Sequence, residues 1–252
     1  MNIEKYSDYL VSWLEDQRKD LYGMEGYVIG VSGGIDSAVV AHLLAKTGAP
    51  VHGVILPSAT TSENDIMHAK LVAESAGIEY TLAPISPTYD AFIETMQPLF
   101  NNEAERQNVI AGNVQARMRM IALYAYAQSH KAVVVGTDNM AEWHMGYFTK
   151  FGDGGVDVVP LVHLTKGQVY EMAKHLGVPQ VVLDKAPSAG LWIGQTDEDE
   201  MGVSYAEIDA YLESGLNSES VNEAAMERIN FWHNRSHHKR MLAPAPKAMN
   251  EL

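Results

Sequence analysis

The chain has 252 residues, 46% of them hydrophobic, a formal net charge of −14 and no cysteine. That length suits one α/β core, so residues 1–252 are expected to form a single domain. The acidic balance argues against a nucleic-acid partner, and the missing cysteines exclude disulfides, thiolate zinc sites and a thiol nucleophile. No apolar stretch reaches bilayer-spanning length and the start Met1-Asn2-Ile3-Glu4-Lys5 is polar, so the expectation is a cytoplasmic protein with no membrane partner.

In chain order, Ile3 to Leu21 reads as an amphipathic helix, with Leu10, Val11, Trp13 and Leu14 at helical spacing. Tyr27–Val31 is a short buried strand, Ser32–Ser37 a tight loop, and Ala38–Ala45 a helix running up to Thr47-Gly48. Val51–Leu56 is a second strand stopped by Pro57, followed by a helix capped at Thr61 or Ser62 and ended by Gly77. Ile78–Ile85 is a third strand, and a looser helical stretch runs to about Phe100. Residues 101–107 are polar and lack periodicity, which reads as a mobile loop. Val109–Ser129 is the longest helical pattern and Lys131–Gly136 another buried strand. Strands alternating with helices predict a doubly wound parallel sheet, helices on both faces. From about 146 onward the pattern changes to glycine-rich loops and an appended helical layer.

The loop Ser32-Gly33-Gly34-Ile35-Asp36-Ser37 carries the strongest chemistry. Glycines let backbone N–H groups approach a phosphate, and the helix start favours its charge. Asp36 would repel that phosphate unless a cation bridged them, which points to magnesium and a polyphosphate. No Gly-Lys-Ser/Thr and no Gly-x-Gly-x-x-Gly after a strand is present, so neither a Walker loop nor a dinucleotide fingerprint fits. Ligands of such sheets bind at the carboxyl ends of the strands, where Thr137–Glu142 also lies. Glu142 could complete an oxygen site with Asp36. On local pattern alone the blander reading is stronger: Asp138 caps the next helix and Glu142 is solvent-exposed.

Phe148–Asp157 is a long glycine-rich loop with one lysine and two carboxylates. Lys166 sits in the first turn of a helix, where it opposes the dipole, so an anionic partner explains it better than stability. The stretch Ala186–Asp199 exposes Trp192 and either closes over a ligand or is an acidic surface turn. His233 and His237 share helical spacing, but with no accompanying carboxylate or cysteine a solvated face is the stronger reading. The apolar face around Met118, Ile121, Leu123, Tyr124 and Tyr126 suits either a subunit interface or a central helix.

The hexapeptide 32–37 resembles the pyrophosphate loop of the ATP-pyrophosphatases. With Gly112–Arg117, Tyr147–Asp157 and Pro187–Trp192 in order, nearly the whole chain is similar to the ammonia-dependent NAD synthetase family. The resemblance implies an adenine-nucleotide α-hydrolase-like fold. It implies ATP contacts from Gly30, Val31, Ser32, Gly33, Gly34, Ile35, Asp36, Ser37, Thr137, Lys166 and Ser188, with Mg²⁺ on Asp36 and Glu142. Arg117, Lys150, Asp157, His238 and Lys239 would bind deamido-NAD, and Asp36, Lys166 and Asp157 would serve the chemistry. Ammonia is the remaining substrate, with Asp153 or Asp157 near it, and the unit is a homodimer. Two departures are Phe151 for the usual tyrosine and His237 for a glutamate. The rivals are a tRNA-modifying enzyme of the same group, which would want a basic face or reactive cysteines, and a nucleotide-sensing module without turnover.

Overall fold

The structure, a computed structural model, describes residues 2–100, 107–188 and 196–248. Four parallel strands lie in the order β3-β2-β1-β4: β1 (Gly26–Gly30), β2 (Val51–Ile55), β3 (Glu79–Leu82) and β4 (Ala132–Val135). Tyr27 of β1 pairs with Val51 on one side and Val133 on the other. β1 and β4 are almost wholly apolar and buried because both faces are covered, whereas the edge strand β3 is largely exposed. Tyr27 and Ile29 pack with α1 (Ile3–Asp16), α2 (Ile35–Lys46) and α3 (Glu63–Ala76), whereas Val28 packs with the helices of the opposite face. Those are the start of α4 (Ser86–Met96), through Ile85, and α5 (Gln107–His130). The expected doubly wound architecture is therefore present.

Local chemistry sets the boundaries. Ser62 caps α3 by accepting from the Asp65 N–H, and Gly77 ends it with φ +70°, a conformation glycine takes without a steric penalty. β3 is shorter than Ile78–Ile85 because Ile85 leaves the sheet to pack on the other face and start α4. The last turn of α1 widens over 17–21. The polar stretch expected to be mobile falls largely on 101–106, outside the described residues. On α5, Met118, Leu123, Tyr124 and Tyr126 pack towards the sheet, while Ile121 is 61% exposed. Much of that broad apolar face is thus sheet cover.

Beyond β4 come α6 (Met140–Met145), α7 (Lys166–Leu176), α8 (Gln180–Leu183), α9 (Asp197–Met201), α10 (Tyr205–Glu213) and α11 (Glu223–Arg235). α7 and α8 join the α1–α2 side of the sheet, through Val169, Met172 and Val182. The others pack around Met145, Met201, Ile208 and Ile229.

Within this layer His144 stacks on His233 at 4.2 Å and meets the Tyr211 ring edge-on. His233 Nδ1 also shares a hydrogen bond with the His144 carbonyl at 2.9 Å, so it is not a freely solvated side chain. Burial, then His233 and Arg240, push the His144 pKa down to about 4 from 6.5. The unfolded chain then binds a proton between those values that the folded chain refuses. Stability is full above about 6.5 and falls as pH drops towards 4, by about 1–2 kcal/mol once the half-exposed ring is discounted. His144→Phe keeps the stack and is expected to flatten the acid side of a urea-denaturation stability curve. An unchanged acid slope would clear His144 as its cause.

Candidate active site

The loop after β1 is pre-shaped by its own serines. Ser37 Oγ donates to the Gly34 carbonyl at 2.9 Å and lies 3.1 Å from Ser32 Oγ, which accepts the Gly34 N–H at 3.2 Å. Gly33 has φ +75°, and a Cβ there would lie 2.8 Å from both Asp65 O and Ala69 N of α3. The backbone thus runs against α3 at a point that admits no side chain. Gly30 and Val31 lead into the loop, and the Val31 N–H still donates to Val54 O at 3.0 Å.

At the head of α2, Asp36 meets residues remote in sequence. Lys166 Nζ, at the start of α7, donates to Asp36 Oδ2 at 2.6 Å and to Glu142 Oε1 at 3.4 Å. Asn139 links the two carboxylates. Its Nδ2 donates to Asp36 Oδ1 at 2.9 Å, and it forms a capping box with Glu142 at the start of α6. The bland sequence reading is overturned here: Asn139, not Asp138, caps the helix, and the Glu142 side chain is 15% exposed, not solvated. The motif Asn-x-x-Glu was the available signal. Thr137, two residues beyond the end of β4, lies two residues before this cap.

Burial and then Asp36 push the Glu142 pKa up to about 7. Burial alone would lower the Lys166 pKa, but Asp36 and Glu142 outweigh it and hold it above the ordinary value. Asp138 is buried with one oxygen lacking a hydrogen-bond partner, and burial, then Asp153, hold its pKa well above the carboxylate range. Asp36, Asp138, Glu142, Asp153 and Asp197 act on one another here, and Lys166 and Lys239 stand against them. Carboxyl groups outnumber ammoniums in a buried place, which makes ionising them all costly and favours a cation.

A second cluster forms on the glycine-rich loop. Arg117 Nη2 donates to Lys150 O at 3.2 Å, Lys150 Nζ to His238 O at 2.8 Å, and Lys239 Nζ to Gly146 O and Phe148 O at 2.8 and 2.5 Å. Arg240 adds bonds to the carbonyls of Trp143, His144 and His233. Arg117, Lys150, His238 and Lys239 are therefore brought together, each engaging a backbone oxygen or offering one. Thr149 fixes the turn: its N–H donates to Asp153 Oδ1 at 2.9 Å. Phe151, with φ +60°, is 63% exposed.

Asp157 stands apart from Lys166. Its Oδ1 accepts from Tyr124 OH at 3.0 Å, its Oδ2 from the Val134 N–H at 2.8 Å, and its carbonyl from Tyr22 OH at 2.9 Å. Both carboxylate oxygens already hold donors that brace the loop to β4. Ser188 is exposed at the edge of the described residues, and Gly190–Trp192 falls outside them. Sequence reading missed Asn139, Tyr205 and Asp209. Tyr205 OH donates to Asp197 Oδ2 at 2.9 Å, and its ring lies 4.8 Å from Lys166 Nζ. Among the described residues no group of three or more His, Cys, Asp or Glu side chains could hold a metal ion, and no helix is long and apolar enough to cross a membrane.

The family model described as NAD synthase matches residues 6–243. The NH(3)-dependent NAD(+) synthetase of Mannheimia succiniciproducens is 59% identical, covering 100% of this chain and 99% of that protein. That of Alkaliphilus oremlandii is 46% identical over 98% of each. The solved NMN synthetase of Francisella tularensis superposes with a TM-score of 0.92 at 54% identity, covering 98% of this chain and 100% of its own.

Proposed function

Because the chain belongs to the NAD synthase family, we propose that it is an ATP-dependent, C–N-forming ligase that amidates the nicotinate carboxylate of deamido-NAD with ammonia. The observation that carries this reading is the buried meeting of Lys166, Asp36 and Glu142 beside the glycine loop.

A carboxylate is inert to ammonia until it gains a better leaving group. A nicotinate oxygen attacks the α-phosphorus of ATP, the bond to the β-phosphate breaks, and pyrophosphate leaves. Ammonia then attacks the acyl carbon, the C–O bond to AMP breaks, and the nitrogen loses a proton. Lys166 and the loop amides of 32–37 stabilise charge on the phosphates. Asp36 and Glu142 suit Mg²⁺, which prefers one or two carboxylates plus phosphate oxygens and, when bound, neutralises the leaving pyrophosphate. Lys239, His238, Lys150 and Arg117 organise the loop that faces the acceptor, with Asp157 bracing its far end; Thr137 and Ser188 complete the ATP contacts. Residues 1–252 act as one catalytic unit in the cytoplasm.

A second reading of the acceptor is favoured by the Francisella protein, whose name specifies NMN. Amidating nicotinate mononucleotide uses the same bond changes on a substrate lacking the AMP half. Both acceptors should be assayed side by side with ATP, Mg²⁺ and ammonium. NAD, AMP and pyrophosphate are expected in equal amounts from deamido-NAD, and labelled pyrophosphate should exchange into ATP when ammonium is omitted. A tenfold or greater preference for the mononucleotide moves the assignment to the second reading, and ADP with inorganic phosphate sinks the adenylate route. Glutamine should not replace ammonium, since no cysteine is present to release its amide nitrogen.

The unit is a homodimer built on the exposed side of α5 around Ile121. Sedimentation should give twice the 27.7 kDa chain mass, and a monomer with full activity would refute the pairing.

A further inference from the structure

α10 carries Tyr205, Asp209 and Glu213 at intervals of four residues, hence along one face. All three meet the beginning of α7. Asp209 Oδ1 accepts the Lys166 N–H at 3.1 Å and its Oδ2 the Gly167 N–H at 2.8 Å. Glu213 Oε1 accepts from Thr165 Oγ1, the cap of α7, at 3.0 Å. The Tyr205 ring lies under the Lys166 ammonium. Lys166 is consequently held at both ends, its backbone by a carboxylate and its headgroup by a ring and two acids.

We propose that this stripe of α10 is the positioning platform of Lys166, with Asp209 its decisive member. A lysine is a point charge on a flexible four-carbon stem, so its headgroup is only as well placed as its stem and backbone. Asp209 fills two of the amides that every helix start leaves unpaired and suits the positive end of the dipole. It thereby offsets the unfavourable position of a lysine in that first turn. Loss of the charge frees the turn and lets Nζ drift from Asp36. The same occupancy means that α7 offers phosphate its lysine and not its first two amides. The inference rests on the reading of Lys166 as an ATP contact only for its functional consequence.

The test compares wild type, Asp209→Asn, Lys166→Ala and the double variant. Two readouts are used: Lys166 acylation by a succinimidyl ester followed by mass spectrometry, and ATP affinity by calorimetry. Asp209→Asn should speed Lys166 labelling at least fivefold and weaken ATP about tenfold, with no further loss in the Lys166→Ala background. Unchanged Lys166 labelling in folded Asp209→Asn overturns the platform, as does a loss of ATP affinity that adds fully to that of Lys166→Ala. Faster labelling combined with wild-type ATP affinity in Lys166→Ala upholds the platform and removes Lys166 from the ATP site. If Asp209→Asn does not fold, Tyr205→Leu takes its place with the same labelling expected; Tyr205→Phe, which keeps the ring, should keep Lys166 protected.

Discussion

Gly33→Ala is expected to abolish measurable ATP binding and to cost the fold about 2–4 kcal/mol. Two effects combine. A side chain at φ +75° carries left-handed strain, and the new Cβ would lie 2.8 Å from two backbone atoms of α3 and 2.9 Å from His68 Cβ. Backbone cannot swing aside as a flexible side chain does, so either α3 moves or the phosphate loop is displaced. Gly48→Ala separates the two effects. Gly48 has φ +73° but nothing within 4 Å, so its alanine variant should lose about 1 kcal/mol and keep full turnover. Urea denaturation and calorimetric titration with ATP check both variants. Wild-type ATP affinity in Gly33→Ala would disprove the cradle assigned to residues 32–37.

Asp36→Ala and Glu142→Ala should each lower turnover at least a thousandfold while leaving the fold intact. In most buried ion pairs, deleting one partner is strongly destabilising because a charge is left alone. Here the buried acids outnumber the ammoniums beside them, and Lys166 retains one carboxylate in either variant. With a chelator present, Glu142→Ala should therefore melt at or above the wild-type temperature. The site crowds carboxyl groups together against its own stability, as a place made to receive a cation would. Full activity in a folded Glu142→Ala protein would remove that residue from the site.

How much of this was legible depends on the range of the interactions. The β1 strand, the glycine loop and α2 follow one another, so an apolar run, small residues and a helical face were enough. Gly77 and Ser62 announced the ends of α3 through short-range chemistry. Glu142 was misjudged on local pattern because a carboxylate three residues from an asparagine reads equally as a cap and as a surface group. Its burial depends on Lys166, 24 residues on, and on α10. The stripe Tyr205, Asp209 and Glu213 escaped notice for a related reason: acids four residues apart on a helix look like a wetted face. The bonds of Lys239 and Arg240 to loop carbonyls were invisible because a backbone oxygen has no side-chain signature. Asp157 was singled out as a carboxylate facing substrate, yet its donors come from Tyr124 and from the Val134 amide, elements the periodicity could place but not orient.

The meeting of Asp36 with Lys166 spans 130 residues, which sets a schedule for the growing polypeptide. At ribosomal rates of about 5–20 residues per second, the lysine emerges roughly 6–26 s after the acid it neutralises. β4 reaches its place beside β1 only after more than a hundred residues have intervened, so the central strand waits with one flank open. The phosphate loop is thus made long before it can be completed. A nascent chain halted before α7 has the glycines and Asp36 but no lysine to hold them to a ligand. ATP can reward folding only once Lys166, 130 residues after Asp36, has been made.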